Sequence, residues 1–230
     1  MLIFSINGQI YVYIHIPKNS GKYIKQQIGG KFECHHLIEN IFQNQLSFVK
    51  PVLVNDFRST QFPHFSYQQI ILNKNELSDI TPDSKYITFT RNPYDKLISG
   101  YFYTISSRPS DVVNISVERL RTLTMEEFIN SLILEFRNFI KNRLNLLVEK
   151  HLIVKPQYKY VIDENGDIPL NLKFYKLEDY ETNTEAQNFF QFEDFKIRKY
   201  NYSDYYDNEC ITIINEIYSK DFELFGYDKI

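Results

Sequence analysis

The chain has 230 residues, of which 43% are hydrophobic and 24% are charged, and its formal net charge is −3. These proportions are those of a globular protein, so they exclude a fibrous or disordered chain. The negative net charge disfavours a protein whose main partner is a nucleic-acid backbone, and any site for an anion must therefore be local. The length predicts a single domain over residues 1–230.

The sequence shows no signal for membranes, disulfides or metals. It has no apolar run of about 20 residues, the length that spans a bilayer, and no signal-peptide pattern after Met1. The two cysteines, Cys34 and Cys210, give neither a disulfide framework nor a paired ligand spacing, and the run Cys34-His35-His36 lacks a second ligand pair. We therefore predict a cytoplasmic protein with no transmembrane segment and no metal.

The first part of the chain is predicted to form a β-hairpin followed by a helix. Asn7-Gly8 separates two apolar runs, which is a strong hairpin signal. The second run, Ile10–Ile16, is almost continuously apolar, as expected of a central strand covered on both faces. After a polar loop, Lys22–Ile28 has the pattern of a short helix, which Gly29-Gly30 is predicted to end.

A second strand, loop and helix follow at Lys85–Thr90, Arg91-Asn92-Pro93 and Tyr94–Thr104. Together the two units predict an α/β, P-loop-like three-layer fold with a central, mainly parallel sheet flanked by helices. Further predictions are a short strand at Val52-Leu53-Val54, an amphipathic helix over Met125–Val148, a turn at Asn165-Gly166, a segment Leu172–Lys176 after it, and a helical tail over Asp207–Phe225.

The loop from Pro17 to Gly21 is predicted to hold an anion. A loop that leaves a buried strand and enters a helix points several backbone N–H groups at one place, where the helix dipole also favours negative charge. Lys18 adds a positive charge, Ser20 adds a hydroxyl, and Gly21 lets the backbone approach a ligand closely. These residue types suit a phosphate, although an ordinary polar turn remains an alternative.

The loop does not match the Walker A pattern of ATPases and GTPases. The first glycine of that pattern would fall at Ile16, and Tyr23 stands where the magnesium-binding Ser or Thr is required. A P-loop nucleotide kinase is therefore disfavoured. It remains an alternative, as does a non-catalytic interaction protein that keeps a nucleotide-binding fold.

The second predicted phosphate contact comes from Arg91 and Ser99. Arg91 stands at the end of a strand and offers a planar fork for phosphate oxygens, and Ser99 follows two helical turns later with a hydroxyl. An arginine ion pair beside a solvated serine would have the same sequence, and this alternative stays open.

Both motifs resemble those of sulfotransferases that use 3′-phosphoadenosine-5′-phosphosulfate (PAPS). Ile14 to Gly21 is similar to their 5′-phosphosulfate loop, and Arg91 to Tyr101 is similar to their 3′-phosphate motif. The resemblance is to the family 2 type, which includes carbohydrate sulfotransferases, and it extends over most of the chain. The segments that fall in the family's order are His151–Tyr160 with Pro156-Gln157, Phe174–Tyr180, Asn201-Tyr202-Ser203 and Asp221–Tyr227.

The resemblance implies transfer of a sulfuryl group from PAPS to a hydroxyl, with a carbohydrate as the expected acceptor, 3′,5′-ADP as the product and no metal. Lys18 is expected to neutralise the departing oxygen, and His64 is expected to take the acceptor proton. The alternatives to His64 that stay open are His15, His35, His36, Glu39 and Asp56. The residues implied in PAPS binding are Pro17, Lys18, Asn19, Ser20, Gly21, Lys22, Tyr23, Arg91, Ser99 and Ser203.

Three positions depart from the family's pattern. Lys22 and Tyr23 stand where these enzymes commonly have small hydroxyl residues, so one hydroxyl contact to the 5′-phosphate is expected to be replaced by an amine or by backbone. Lys96 stands where arginine is frequent, which keeps the charge but not the bidentate fork.

Overall fold

The computed structural model describes residues 1–36, 64–74, 77, 79–107 and 124–230. The predicted strand at Val52-Leu53-Val54 and the candidate bases Glu39 and Asp56 lie outside these residues. The described chain divides into two compact units: unit 1 comprises Met1–Arg91 and Gln157–Ile197, and unit 2 comprises Asn92–Pro156 and Arg198–Ile230.

Unit 1 is built on a five-stranded sheet with the order β3-β1-β2-β4-β5. Strands β2 and β5 both run parallel to β4, whereas β1 is antiparallel to its neighbours β2 and β3. The predicted α/β class is therefore confirmed, and the sheet is mixed, with a parallel half and an antiparallel edge. The strands are β1 (Leu2–Ile6), β2 (Gln9–Ile14), β3 (Glu33–His36), β4 (Lys85–Thr90) and β5 (Leu172–Lys176).

The predicted hairpin is confirmed, and β2 is the middle strand of the sheet. Asn7 and Gly8 both have positive φ, at 51° and 80°, as a two-residue turn between right-twisted strands requires. The β1–β2 register pairs Leu2 with Tyr13 and Phe4 with Tyr11. The last three residues of β2 are buried, in agreement with its apolar sequence.

Ten helices lie between and after these strands in the described part of the chain. They are α1 (Gly21–Lys31), α2 (Tyr67–Leu72), α3 (Pro93–Ser107), α4 (Met125–Asn142), α5 (Leu144–Leu147), α6 (Tyr158–Val161), α7 (Thr184–Phe190), α8 (Tyr202–Tyr205), α9 (Asn208–Ile217) and α10 (Ser219–Phe225). None of the helices in this part of the chain is both long and apolar enough to cross a bilayer.

Helix α1 does not end where the sequence predicts. Gly29 and Gly30 lie inside the helix and are exposed, and Phe32 is the C-cap residue. Ile24 and Ile28 are fully buried in the core of unit 1. Their burial outweighs the helix-propensity cost of two glycines, which is about 1 kcal/mol each.

Unit 2 contains only helices and connecting segments among its described residues. The predicted helix over Met125–Val148 breaks at Arg143, and the predicted helical tail breaks at Tyr218. Thr124 begins α4 with a capping box that includes Glu127. The core of unit 2 is hydrophobic and includes six aromatic side chains; its buried residues are Tyr94, Leu97, Ile98, Tyr101, Phe136, Ile140, Leu144, Val154, Tyr206, Cys210, Ile214, Tyr218 and Phe222.

Candidate anion-binding site

The loop between β2 and α1 has the backbone geometry of an anion site. Lys18 and Ser20 both have positive φ, at 69° and 55°. Left-handed residues within a loop turn neighbouring N–H groups toward one side and form a concave nest that suits an anion. Ser20 is the N-cap residue of α1 but makes no side-chain capping bond, and the first turn contains no acidic residue. The side chain of Ser20 therefore does not cap the N–H groups that begin this helix.

Two cationic residues meet at this loop. Arg91, which directly follows β4, is only 5% exposed, and its Nη1 donates to the backbone oxygen of Lys18 over 3.2 Å. Burial, and next the positive charge of Arg91, lower the pKa of Lys18 from 10.5 to about 8. Two neighbouring cations in a partly buried place favour an anion between them.

The side chain of Asn19 makes hydrogen bonds within unit 1. It is fully buried, and its Nδ2 donates to the backbone oxygen of Phe89 over 2.8 Å and to Oε1 of Gln157 over 2.7 Å. Gln157 in turn accepts from the Arg91 N–H over 2.9 Å and donates to the Arg91 oxygen over 2.7 Å. The side chain of Asn19 is therefore not available to a ligand, and its backbone N–H donates to the Ile16 oxygen over 3.4 Å.

Two histidines lie beside the loop. The Nδ1 of His64 is 2.9 Å from the backbone oxygen of His15, and the two ring centroids are 4.3 Å apart. Since a carbonyl oxygen only accepts, His64 donates from Nδ1, and the lone pair of neutral His64 is on Nε2. A ring fixed in this way is suited to take a proton at Nε2. Burial, and next the proximity of His64, hold the pKa of His15 well below its usual value.

Gly21 is required by the ring of His15. A Cβ atom placed at Gly21 would lie 1.7 Å from His15 Nε2, so no other residue fits beside this ring without movement. The sequence suggested that Gly21 serves the approach of a ligand. The structure adds that it makes room for a buried histidine that directly follows the preceding strand.

The remaining residues predicted in the loop have separate roles. Pro17 is buried, whereas Lys22 is exposed. The hydroxyl of Tyr23 donates to the backbone oxygen of Glu193, and its ring packs against Phe192 and Phe195. The hydroxyl of Tyr23 therefore binds the chain itself, and its backbone N–H is what this residue offers to a ligand.

The other predicted site residues lie in unit 2. Ser99 is half-buried on α3, and Ser203 is exposed on α8, where its hydroxyl donates to Asn201 over 3.1 Å. The ring contacts of Tyr94 with Tyr202 and of Phe102 with Tyr205 place α8 against α3. The pairing of Ser99 with Arg91 on one phosphate stays a prediction.

Lys96 is an internal residue of unit 2. It is 2% exposed, and its Nζ donates to the backbone oxygens of Ile153 and Lys155 over 2.8 and 3.0 Å. Burial lowers its pKa to about 8, opposed by the nearby carboxylate of Asp221. The lysine that replaces the family's frequent arginine is thus bound to backbone within its own unit.

The structure describes two of the alternative bases, His35 and His36, by their backbone alone. Both lie on β3, the edge strand that β1 separates from β2. Among the described residues, no three His, Cys, Asp or Glu side chains are grouped as a metal site requires.

No protein-family model, curated protein or solved structure matches this chain. The site is therefore interpreted from its own residues and from the motifs in the sequence.

The contact between Gly21 and His15 predicts a coupled pair of substitutions. Gly21→Ala should lower the free energy of unfolding by about 1–3 kcal/mol, because the new methyl group overlaps the imidazole. In a His15→Ala background the same change should cost much less. Gly29→Ala is the matched control in the same helix; nothing lies within 4 Å of its Cβ, and it should stabilise by roughly 0.5–1 kcal/mol. Urea unfolding measures the unmodified protein and the four variants, and an equal cost of Gly21→Ala in both backgrounds would refute the contact.

The lowered pKa of Lys18 predicts that its charge destabilises the ligand-free fold. A group with a pKa of about 8 when folded and 10.5 when unfolded lowers stability below pH 8, and this loss disappears as the pH rises through that interval. Lys18→Met should therefore raise the free energy of unfolding near pH 7, and the gain should shrink toward about pH 10. The control is Lys22→Met, because Lys22 is an exposed lysine in the first turn of α1. A loss of stability that is the same at every pH would contradict this prediction.

Proposed function

We propose that this protein is a PAPS-dependent sulfotransferase with a P-loop-like three-layer fold. The observation that carries the proposal is the meeting of Lys18 and Arg91 at a loop that begins a helix whose N-cap residue, Ser20, makes no side-chain capping bond. This is an arrangement for a multiply charged anion, and the two sequence motifs that contain these residues identify the anion as a 3′-phosphorylated nucleotide.

The donor is held by its two phosphate ends in this proposal. The backbone N–H groups of Lys18 and of Ser20 to Tyr23 bind the 5′-phosphate, and the fork of Arg91 with the hydroxyl of Ser99 binds the 3′-phosphate. Ser203 is a further contact on the 3′ side. A 3′-phosphate site of this kind selects PAPS over ATP, ADP and AMP, which have no phosphate at that position.

The reaction is an in-line transfer in which one S–O bond replaces another. The acceptor oxygen attacks sulfur while the bond between sulfur and the 5′-phosphate oxygen breaks, and the released nucleotide is 3′,5′-ADP. Lys18 neutralises the charge that develops on the departing oxygen. The acceptor proton moves to Nε2 of His64, whose Nδ1 is held by the His15 oxygen. The acceptor is a hydroxyl, with a carbohydrate as the proposed class.

The 3′-phosphate site predicts a preference among adenine nucleotides. 3′,5′-ADP should raise the melting temperature far more than ADP or AMP, because only this nucleotide engages Arg91 and Ser99. At about 100 times its dissociation constant the gain corresponds to about 2.7 kcal/mol. Arg91→Lys keeps the charge but loses the fork, and it should remove most of the difference between the nucleotides. Equal shifts with all three nucleotides in the unmodified protein would reject the proposal.

The role of His64 predicts a separation of binding from transfer. His64→Gln keeps a side-chain N–H that can donate to the His15 oxygen but has no basic nitrogen, so transfer should fall by roughly 10²–10⁴-fold. The affinity for 3′,5′-ADP should change by less than about twofold, since the residue is placed on the acceptor side. Transfer of radiolabelled sulfate from PAPS to a panel of carbohydrates measures the first quantity, and titration calorimetry measures the second. Unchanged transfer in the variant would assign the base to another residue.

A further inference from the structure

A buried pair of side-chain amides connects the Lys18 loop to the end of β4. Asn19 and Gln157 are both fully buried, and Asn19 Nδ2 donates to Gln157 Oε1 over 2.7 Å. Gln157 closes a two-bond ring with the backbone of Arg91, accepting from its N–H and donating to its oxygen. The same Asn19 nitrogen donates to the Phe89 oxygen over 2.8 Å. We call Asn19 and Gln157 the amide brace.

The amide brace takes the place that β2 vacates beside β4. The β2–β4 ladder ends at the pair Ile14 and Thr88, while β4 continues to Thr90, whose oxygen accepts from Leu177 on the side of β5. Because carbonyl groups alternate along a strand, the oxygen of Phe89 faces the other side, where β2 has turned away. Asn19 supplies the donor for this oxygen, and Gln157 pairs with the next backbone groups on the same side, those of Arg91.

The hydrogen bonds fix the orientation of both amides. The Phe89 oxygen can only accept, so Asn19 must present its NH₂ group there. The Arg91 oxygen can only accept as well, so Gln157 must present Nε2 to it and Oε1 to Asn19. Each amide therefore has one allowed orientation, and the loop that contains Lys18 has a single register relative to Arg91.

We infer that Asn19 and Gln157 are positioning residues, which hold the Lys18 loop and Arg91 at the separation that the two phosphate ends of one donor require. This inference rests on the proposed function. Arg91 Nη1 also donates to the Lys18 oxygen. The loop is therefore joined to Arg91 through the arginine side chain as well as through its backbone. Neither amide touches the donor, and both act through the two cationic residues.

The amide brace is not arranged for stability alone. Oδ1 of Asn19 is buried and has no hydrogen-bond partner among the described residues. A buried polar atom without a partner lowers stability by about 1–3 kcal/mol, and the brace carries this loss while it pairs the Phe89 oxygen and the backbone of Arg91. The two amides orient the Lys18 loop and Arg91, which apolar side chains at these positions could not do.

The test compares variants of similar volume in titrations with 3′,5′-ADP. Gln157→Met removes the hydrogen bonds to Asn19 and to the Arg91 backbone without adding charge, and Asn19→Ser separates the loop while leaving the Gln157–Arg91 ring. Gln187→Met is the matched control, since the side chain of this exposed glutamine donates to the backbone oxygen of Glu181, away from the loop. Dissociation constants are measured by calorimetry at a temperature where circular dichroism shows each variant folded, so a loss of stability alone does not change them.

Gln157→Met and Asn19→Ser should each weaken 3′,5′-ADP binding by about tenfold or more, which is the scale of one lost hydrogen bond to a charged group. Gln187→Met should weaken it by less than about twofold. Arg91→Met should reduce affinity much less in the Gln157→Met background than in the unmodified protein, because the arginine is already displaced. Unchanged affinity in both brace variants, additive effects with Arg91→Met, or failure of both variants to fold would overturn the inference. If the unmodified protein does not bind 3′,5′-ADP, the proposed function fails as well, so the two failures are distinguished.

Discussion

The parallel pairing of β2 with β4 is the constraint on which the candidate site depends. The register places Ile14 beside Thr88, and the hydroxyl of Thr88 reinforces it by donating to the Ile14 oxygen over 2.7 Å. Parallel strands have their carboxyl ends at the same edge of the sheet. The loop after β2 and the residue after β4 therefore meet, and Lys18 and Arg91 become neighbours although they are far apart in sequence.

Several features of the candidate site are unfavourable for the stability of the fold. Two cations lie close together, the pKa of Lys18 is lowered to about 8, and a buried amide oxygen of Asn19 lacks a partner among the described residues. Each of these features reduces the stability of the ligand-free protein. An anion bound between the two cations would offset their mutual repulsion, and such a loss of stability in the ligand-free protein is typical of functional sites.

Local sequence patterns predicted the hairpin, the strand over Lys85–Thr90 and the helix that follows the Lys18 loop, because turn residues and apolar periodicity determine such elements. The prediction that Gly29-Gly30 ends α1 was wrong, since burial of the helix's apolar face overrides the local signal. The P-loop-like arrangement of layers stays part of the proposal.

Contacts between distant residues could not be predicted in the same way. The role of Gly21 depends on the ring of His15, and the role of Gln157 depends on the backbone of Arg91, which is 66 positions away. The sequence offered only a weak signal for Gln157, its place beside Pro156 in a segment similar to the family's. Side-chain bonds to backbone have no periodicity, so they become visible only once the strands are paired.

A crystal structure of the protein with 3′,5′-ADP tests the central claim most directly. The account predicts that the 5′-phosphate lies on the N–H groups of the loop after β2, within hydrogen-bonding distance of Lys18, and that the 3′-phosphate is bound by the fork of Arg91. A nucleotide bound elsewhere, or bound at this loop with its 3′-phosphate away from Arg91, would contradict it.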